Sequence, residues 1–289
     1  MTNAKSSSQS NSDQEKYWNS NAGRKWVEFQ DELDRLLERV NDRLLQRSEI
    51  ELGGRVVDIG CGTGATTMSV ASLVGERGLV LGVDISKTLL DCAKSRSSNI
   101  SGGRIEYTLA DAQTWRFNAD SFDLVTSRFG MMFFANPVLA FKNLAVALRK
   151  GGRMSFVSWA NASDNPWFAI PRDAAIDQLG KPAPTPPTAP GPLAFASADY
   201  VLNIMDEAGL DARSADKEQV DLLYSGSVAE AAHLASNVGP AARIMKEFDG
   251  SPADIVEIKK KVAVGFQKFM VNDGIHIPAT LNFFQATKG

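Results

Sequence analysis

Short apolar runs alternate with helical spacings along most of this chain. From Trp26 onward, Val27, Phe29, Leu33, Leu36, Leu37, Val40, Leu44 and Leu45 recur at mostly helical intervals. That spacing predicts one amphipathic helix, or two, laid against the body of the fold. Buried strands are predicted at 55–60 (RVVDIG) and 78–85 (GLVLGVDI), with a helix at 65–74 between them. Ser86 is a good N-cap for a second helix ending near Ser97. Strands follow at 103–110, 122–128 and 153–160; before the last of these, Pro137 opens a helix that Gly151 and Gly152 end. Strand and helix repeated in this way imply a parallel sheet with helices on both faces.

The pattern changes after Ala160. Residues 181–192 (KPAPTPPTAPGP) hold six of the twelve prolines, which exclude helix and central strand. A helix is expected at 197–210, a strand within 211–224, helical pattern over 228–272 and a terminal strand at 276–288. The expected organisation is a disordered tail (1–12), an N-terminal helical segment (13–50), an α/β domain (51–160 and 197–289) and a Pro-rich insertion (161–196). The insertion, joined by the helices in 228–272, would form a substrate cap.

Composition narrows the classes. The 289 residues are 44% hydrophobic, enough for a sizeable core. The 31 basic and 34 acidic residues leave a formal charge of -3, without the basic excess of a nucleic-acid binder. No run approaches the ~18 apolar residues of a membrane helix, and the N-terminus lacks the apolar core of a signal peptide. With only Cys61 and Cys92, neither a disulfide framework nor a CxxC metal site is expected. These features lead us to expect a reduced, cytoplasmic protein with no metal, no nucleic-acid partner and no membrane insertion.

The chemistry concentrates in Val56–Gly64 (VVDIGCGTG). A strand ends there in a turn with glycine at every second position, and a helix follows at once. Such glycines let a ligand touch the backbone and adopt φ values other residues avoid. The spacing G-x-G-x-G differs from the dinucleotide fingerprint G-x-G-x-x-G. Asp58 adds a carboxylate that would gain little from a pyrophosphate but would suit an ammonium group. Asp84 ends the next strand, where an acid accepts from ribose hydroxyls, and Asp111 lies just past the third. Three acids thus fall at the carboxyl ends of successive strands, where open α/β sheets bind ligands.

Over residues 55–160 these motifs resemble the class I S-adenosylmethionine-dependent methyltransferases, nearest to their ubiquinone/menaquinone C-methyltransferase-like branch. The resemblance implies a Rossmann-like doubly wound seven-stranded sheet, mostly parallel with its last strand antiparallel. It also implies S-adenosyl-L-methionine as cofactor. The turn Gly60, Cys61, Gly62, Thr63 and Gly64 would hold the amino-acid portion, and Asp58 would orient its ammonium. Asp84, with Ile85 beside it, would bind the ribose; Asp111 would take the adenine amino group next to Ala112. Trp26 is expected against the cofactor, whereas Ser127 and Arg128 sit where the family places residues near the methyl group and acceptor.

A methyl transferase must chiefly align acceptor and methyl group and exclude water. The acceptor pocket is expected from Met131, Met132, Phe133, Phe134, Trp159 and Trp167, closed by Tyr17 and Trp18. Those residues suggest a small, partly apolar acceptor methylated on oxygen, nitrogen or carbon, with Arg128 positioning it. Of the two histidines, His276 reads as structural, while His233 could reach a pocket from the cap. Two other readings stay open: a non-catalytic S-adenosylmethionine-binding regulatory protein, and a nicotinamide-dependent dehydrogenase, which the glycine spacing disfavours.

Overall fold

The computed structural model describes residues 11–98 and 100–289. The tail expected over residues 1–12 lies outside the described residues as far as residue 10. Its last two residues are structured: Asn11 is buried, and Ser12 opens the first helix.

The strands are β1 (Arg55–Ile59), β2 (Leu79–Asp84), β3 (Arg104–Leu109), β4 (Phe122–Arg128), β5 (Leu148–Trp159), β6 (Leu210–Tyr224), β7 (Met270–Val271) and β8 (Gly274–Lys288). They form one sheet in the order β3-β2-β1-β4-β5-β8-β6, with the short β7 paired to the start of β8. Pairs from β3 through β5 are parallel, and β8 runs antiparallel to both β5 and β6. The expected seven-strand path is therefore present, with a two-residue eighth strand added. Val56, Val57 and Ile59 of β1 are all buried, as a strand covered on both faces requires.

On the N-terminal side of the sheet come α1 (Ser12–Trp18), α2 (Asn21–Glu28), α3 (Gln30–Leu36) and α4 (Glu38–Ser48). The sequence suggested one or two helices here; the chain instead breaks at Phe29 and again at Leu37, both of which are buried. Within the sheet run α5 (Ala65–Val74), α6 (Lys87–Ser97) and α7 (Pro137–Ala147). Ser86 caps α6 by accepting the Leu89 N–H at 3.3 Å, and Asn136 caps α7 through Leu139 N–H at 3.1 Å.

Beyond β5 lie α8 (Pro166–Leu179), α9 (Ala198–Glu207), α10 (Val228–Asn237), α11 (Pro240–Glu247) and α12 (Pro252–Phe266). Helix α8 falls inside the segment read only as a Pro-rich insertion. Pro166 occupies its first turn, where no N–H is needed, while Pro171 sits in its interior. Packing outweighs that cost: Trp167 stacks on Phe266 of α12 at 5.9 Å, and Trp167, Phe168, Ala174 and Ala175 are buried. Among the described residues no helix is long and apolar enough to cross a membrane.

The chain proceeds from β1 outward to β3, then returns to place β4 and β5 on the other side of β1. The order therefore reverses between β1 and β4, and a crevice opens beyond their carboxyl ends.

Candidate functional site

The turn after β1 is built on backbone geometry that glycine alone accepts readily. Gly60, Gly62 and Gly64 have φ of 64°, 56° and 86°. A Cβ on Gly60 would lie 2.7 Å from the Gly130 Cα, and one on Gly64 would lie 2.7 Å from the Tyr107 hydroxyl. A Cβ on Gly62 would meet nothing within 4 Å, because this residue faces a cavity. That cavity has a volume of about 610 Å³, within the ordinary range for small-molecule sites.

Asp58, at the end of β1, is 1% exposed. Thr67 donates its hydroxyl to Oδ2 at 2.7 Å, whereas the buried Oδ1 has no partner among the described residues. Burial pushes the Asp58 carboxyl up to about 7, against the Thr67 hydrogen bond and the nearby Arg128 charge. Asp84 ends β2 and accepts the Gly62 N–H and the Ser86 N–H, each at 2.8 Å. Burial raises it to about 6, with those backbone hydrogen bonds opposing. The Asp84 carboxylate therefore also clamps the glycine turn.

Asp111 accepts the Asn11 side-chain amide at 2.7 Å and the Gln113 N–H at 2.9 Å. Asn11 in turn accepts the Ala135 N–H at 2.6 Å. Asn11, just ahead of α1, is thus strapped across this end of the cavity. Ser86 adds a second tie, donating to the Trp18 carbonyl at 2.9 Å.

Most of the residues singled out in the sequence converge on this cavity. Asp58, Gly60, Cys61, Gly62, Thr63, Asp84, Ile85, Asp111, Ala112, Trp26, Arg128, Met132, Phe133, Trp159, Trp167 and Tyr17 all line it. Three do not. Gly64 forms the N-cap of α5 behind the turn. Met131 begins a 3₁₀ turn (Met131–Phe133) and points into the core, 2% exposed. Ser127 was expected near the acceptor; instead it is fully buried, donates to the Ile59 carbonyl at 2.7 Å and accepts the Gly130 N–H at 3.1 Å. Its hydroxyl fastens the β4 turn to β1 and has no route to a ligand.

Arg128 lines the cavity but is not a free cation. Its side chain is 12% exposed and lies 3.7 Å from the Asp34 carboxylate of α3. Asp34 also receives Arg96 at 2.5 Å, and Arg96 donates to the Thr63 carbonyl at 2.7 Å. Burial lowers the Arg128 pKa, while Asp34 and Asp58 pull it back up. Neither histidine lines the cavity: His233 packs edge-on to Phe29 at 5.5 Å, and His276 lies 3.0 Å from Asp273. Burial also pushes up the thiol of Cys61, which suits the small filler it was taken to be rather than a nucleophile.

Sequence reasoning missed several lining residues, among them Asn11, Gln14, Lys25, Phe129, Phe168, Arg243 and Lys246. Phe129 carries φ of 64°, unusual for an aromatic residue, and its ring stacks on Trp159 at 4.5 Å and 6°.

Comparison with known proteins bears on the same segment. Residues 56–152 match the family model described as a methyltransferase domain. Over this stretch the chain is similar to a methyltransferase domain. The stretch runs from β1 through the glycine turn to Gly152 and so contains Asp58, Asp84, Asp111 and Arg128. Aklanonic acid methyltransferase DauC of Streptomyces sp. is 38% identical over 116 residues, which is 40% of this chain and 53% of that protein. The ubiquinone/menaquinone biosynthesis C-methyltransferase UbiE of Azotobacter vinelandii is 33% identical over 128 residues, 42% of this chain and 51% of that protein. The chain thus spans about half the length of the curated relatives it matches. In fold, the chain is similar to Haemonchus contortus phosphoethanolamine N-methyltransferase 2, solved with phosphomonomethylethanolamine and S-adenosylhomocysteine. That likeness has a TM-score of 0.51 at 20% identity, over 86% of this chain and 52% of that one.

Proposed function

We propose that this protein transfers a methyl group from S-adenosyl-L-methionine to a small, partly apolar organic acceptor. The observation that carries the reading is the Asp58 Oδ1: a buried carboxylate oxygen without a partner among the described residues, beside a glycine turn whose Gly62 faces open space. An unpaired buried acceptor is costly, and an ammonium group supplies the charge-assisted hydrogen bond it lacks. The match to a methyltransferase domain supports the same reading, as do the relatives named as an aklanonic acid methyltransferase and a ubiquinone/menaquinone biosynthesis C-methyltransferase.

The residues present fit this cofactor. Asp58 would hold its ammonium, and the left-handed turn would let its amino-acid end approach the backbone. Asp84 still has lone pairs beyond the two used by Gly62 and Ser86, and would accept from the ribose hydroxyls. Asp111 and Ala112 would border the adenine. We place Arg128 on the cofactor's carboxylate rather than on the acceptor. It lies within electrostatic reach of Asp58, and Asp34 holds its guanidinium at that end of the cavity.

When bound, the cofactor supplies a methyl group on a sulfonium that is its own leaving group. The chain's part is to align the acceptor, exclude water and keep charges complementary. The aromatic walls Phe129, Phe133, Trp159 and Trp167 would do the first two. The segments α1–α3, α8 and α10–α12 would act as the cover over the methyltransferase domain. Calorimetric titration with S-adenosylmethionine, S-adenosylhomocysteine and NADH tests the reading. Micromolar binding of the sulfur compounds and none of NADH is expected; NADH binding with neither sulfur compound would replace it with a dehydrogenase.

A further inference from the structure

The charged lining of the cavity is divided by sign. Its acids are Asp58, Asp84 and Asp111, all at the ends of β1–β3 on the cofactor side. The other charged side chains are cations: Lys25, Arg128, Arg243 and Lys246. Two of these are neutralised in place, Arg128 by Asp34 and Lys25 by Glu28 at 2.9 Å. Arg243 and Lys246 are not. Arg243 reaches Glu247 only at 3.9 Å, with both side chains exposed, a geometry that contributes little. Lys246 has no ion-pair partner among the described residues. The two stand three residues apart on α11, so they share the face that borders the cavity. In a chain of formal charge -3, this is a local excess of positive charge on the α11 edge of the cavity.

The same cavity is lined by an aromatic stack. Phe129 and Trp159 stack in parallel, and Phe168 meets Trp159 edge-on at 4.8 Å. Tyr17 of α1 faces the same space, near enough to Arg243 for the guanidinium to oppose the upward push of burial on its phenol.

We infer that the acceptor is a planar apolar molecule carrying a carboxylate, its flat part resting against the Phe129–Trp159 stack and its carboxylate held by Arg243 and Lys246. Arginine offers a carboxylate two parallel hydrogen bonds, and a lysine one turn away adds a second charge. The inference rests on the methyl-transfer reading above and names the acceptor class of that same cavity.

The test loads the full-length protein with S-adenosylhomocysteine and titrates two probes of equal shape, 2-naphthoate and the neutral 2-naphthamide, by calorimetry. The carboxylate should bind about tenfold more tightly, the gain of one charge-assisted hydrogen bond. The preference should shrink at high salt, because the cations are exposed. In the double variant R243Q/K246Q the preference should vanish, with S-adenosylhomocysteine affinity and circular dichroism unchanged. Equal binding of the two probes, a preference that survives in the double variant, or binding of neither probe to the loaded protein overturns the inference while leaving the cofactor reading intact. Failure of S-adenosylhomocysteine itself to bind overturns both, and the control titration distinguishes that case.

Discussion

Gly60 and Gly130 touch backbone to backbone: a Cβ on the first would lie 2.7 Å from the Cα of the second, and a Cβ on Gly130 would lie 2.4 Å from the Ile59 carbonyl oxygen. The turns after β1 and β4 therefore close on each other at the point where the sheet's strand order reverses. Gly130→Ala should destabilise the fold by about 1–3 kcal/mol, the usual cost of forcing atoms into a packed site. Chemical denaturation checks this, and an unchanged midpoint would show that the two turns can part freely.

Gly62 makes the opposite prediction. Space is open around it, so Gly62→Ala bears only the left-handed backbone cost of about 1–2 kcal/mol. The new methyl group enters the cavity, however, and S-adenosylhomocysteine binding should be lost while circular dichroism stays native. Retained binding would move the cofactor off this turn.

Asp58 and Asp84 make stability depend on pH in a stated direction. Their folded-state values, about 7 and about 6, lie above the ordinary 3.8. The folded protein thus keeps protons that the unfolded chain has already released. Their stabilising contribution is complete below about pH 4 and is lost as pH rises through 6 and then 7. For Asp58 alone the loss is on the order of 4 kcal/mol. The ligand-free protein should melt at a higher temperature at pH 5 than at pH 8, and Asp58→Asn should remove most of that difference. Cofactor affinity should run the other way, weakening below about pH 7 as Asp58 takes up the proton that excludes an ammonium. A wild-type melting profile identical to that of Asp58→Asn would dismiss the assignment.

Arg128→Gln separates two roles. If the guanidinium holds the cofactor's carboxylate, the Kd for S-adenosylmethionine should rise about tenfold to a hundredfold. The fold should survive, since Asp34 keeps Arg96 at 2.5 Å. An unchanged Kd with lost turnover would return Arg128 to the acceptor.

The sheet and the strand-end side of the cavity were legible because their signals are local. Strand ends place Asp58, Asp84 and Asp111, and the G-x-G-x-G turn announces its own geometry. Residues around strand ends and turns were harder, because one position decides the face. Ser127 and Arg128 are neighbours on β4, yet side chains alternate along a strand, so one points into the protein and the other into the cavity. In the 3₁₀ turn after it, successive residues diverge by a third of a turn, sending Met131 to the core and Met132 and Phe133 to the cavity. Helix α8 was hidden by its two prolines. Gln14, Arg243 and Lys246 lie on helices whose polar positions look like ordinary solvated faces until the packing of those helices sets them beside the cavity, and Asn11 just precedes the first of these helices.

The strap at Asn11 changes what arrival at the far end of the cavity means. The Asp111 carboxylate is already satisfied by an amide of the chain itself, 2.7 Å away. A newcomer's amino group at that spot trades one hydrogen bond for another, a swap that is close to even in free energy. A ligand therefore has little to gain at Asp111 and most to gain at the buried Asp58 Oδ1, which has no partner among the described residues.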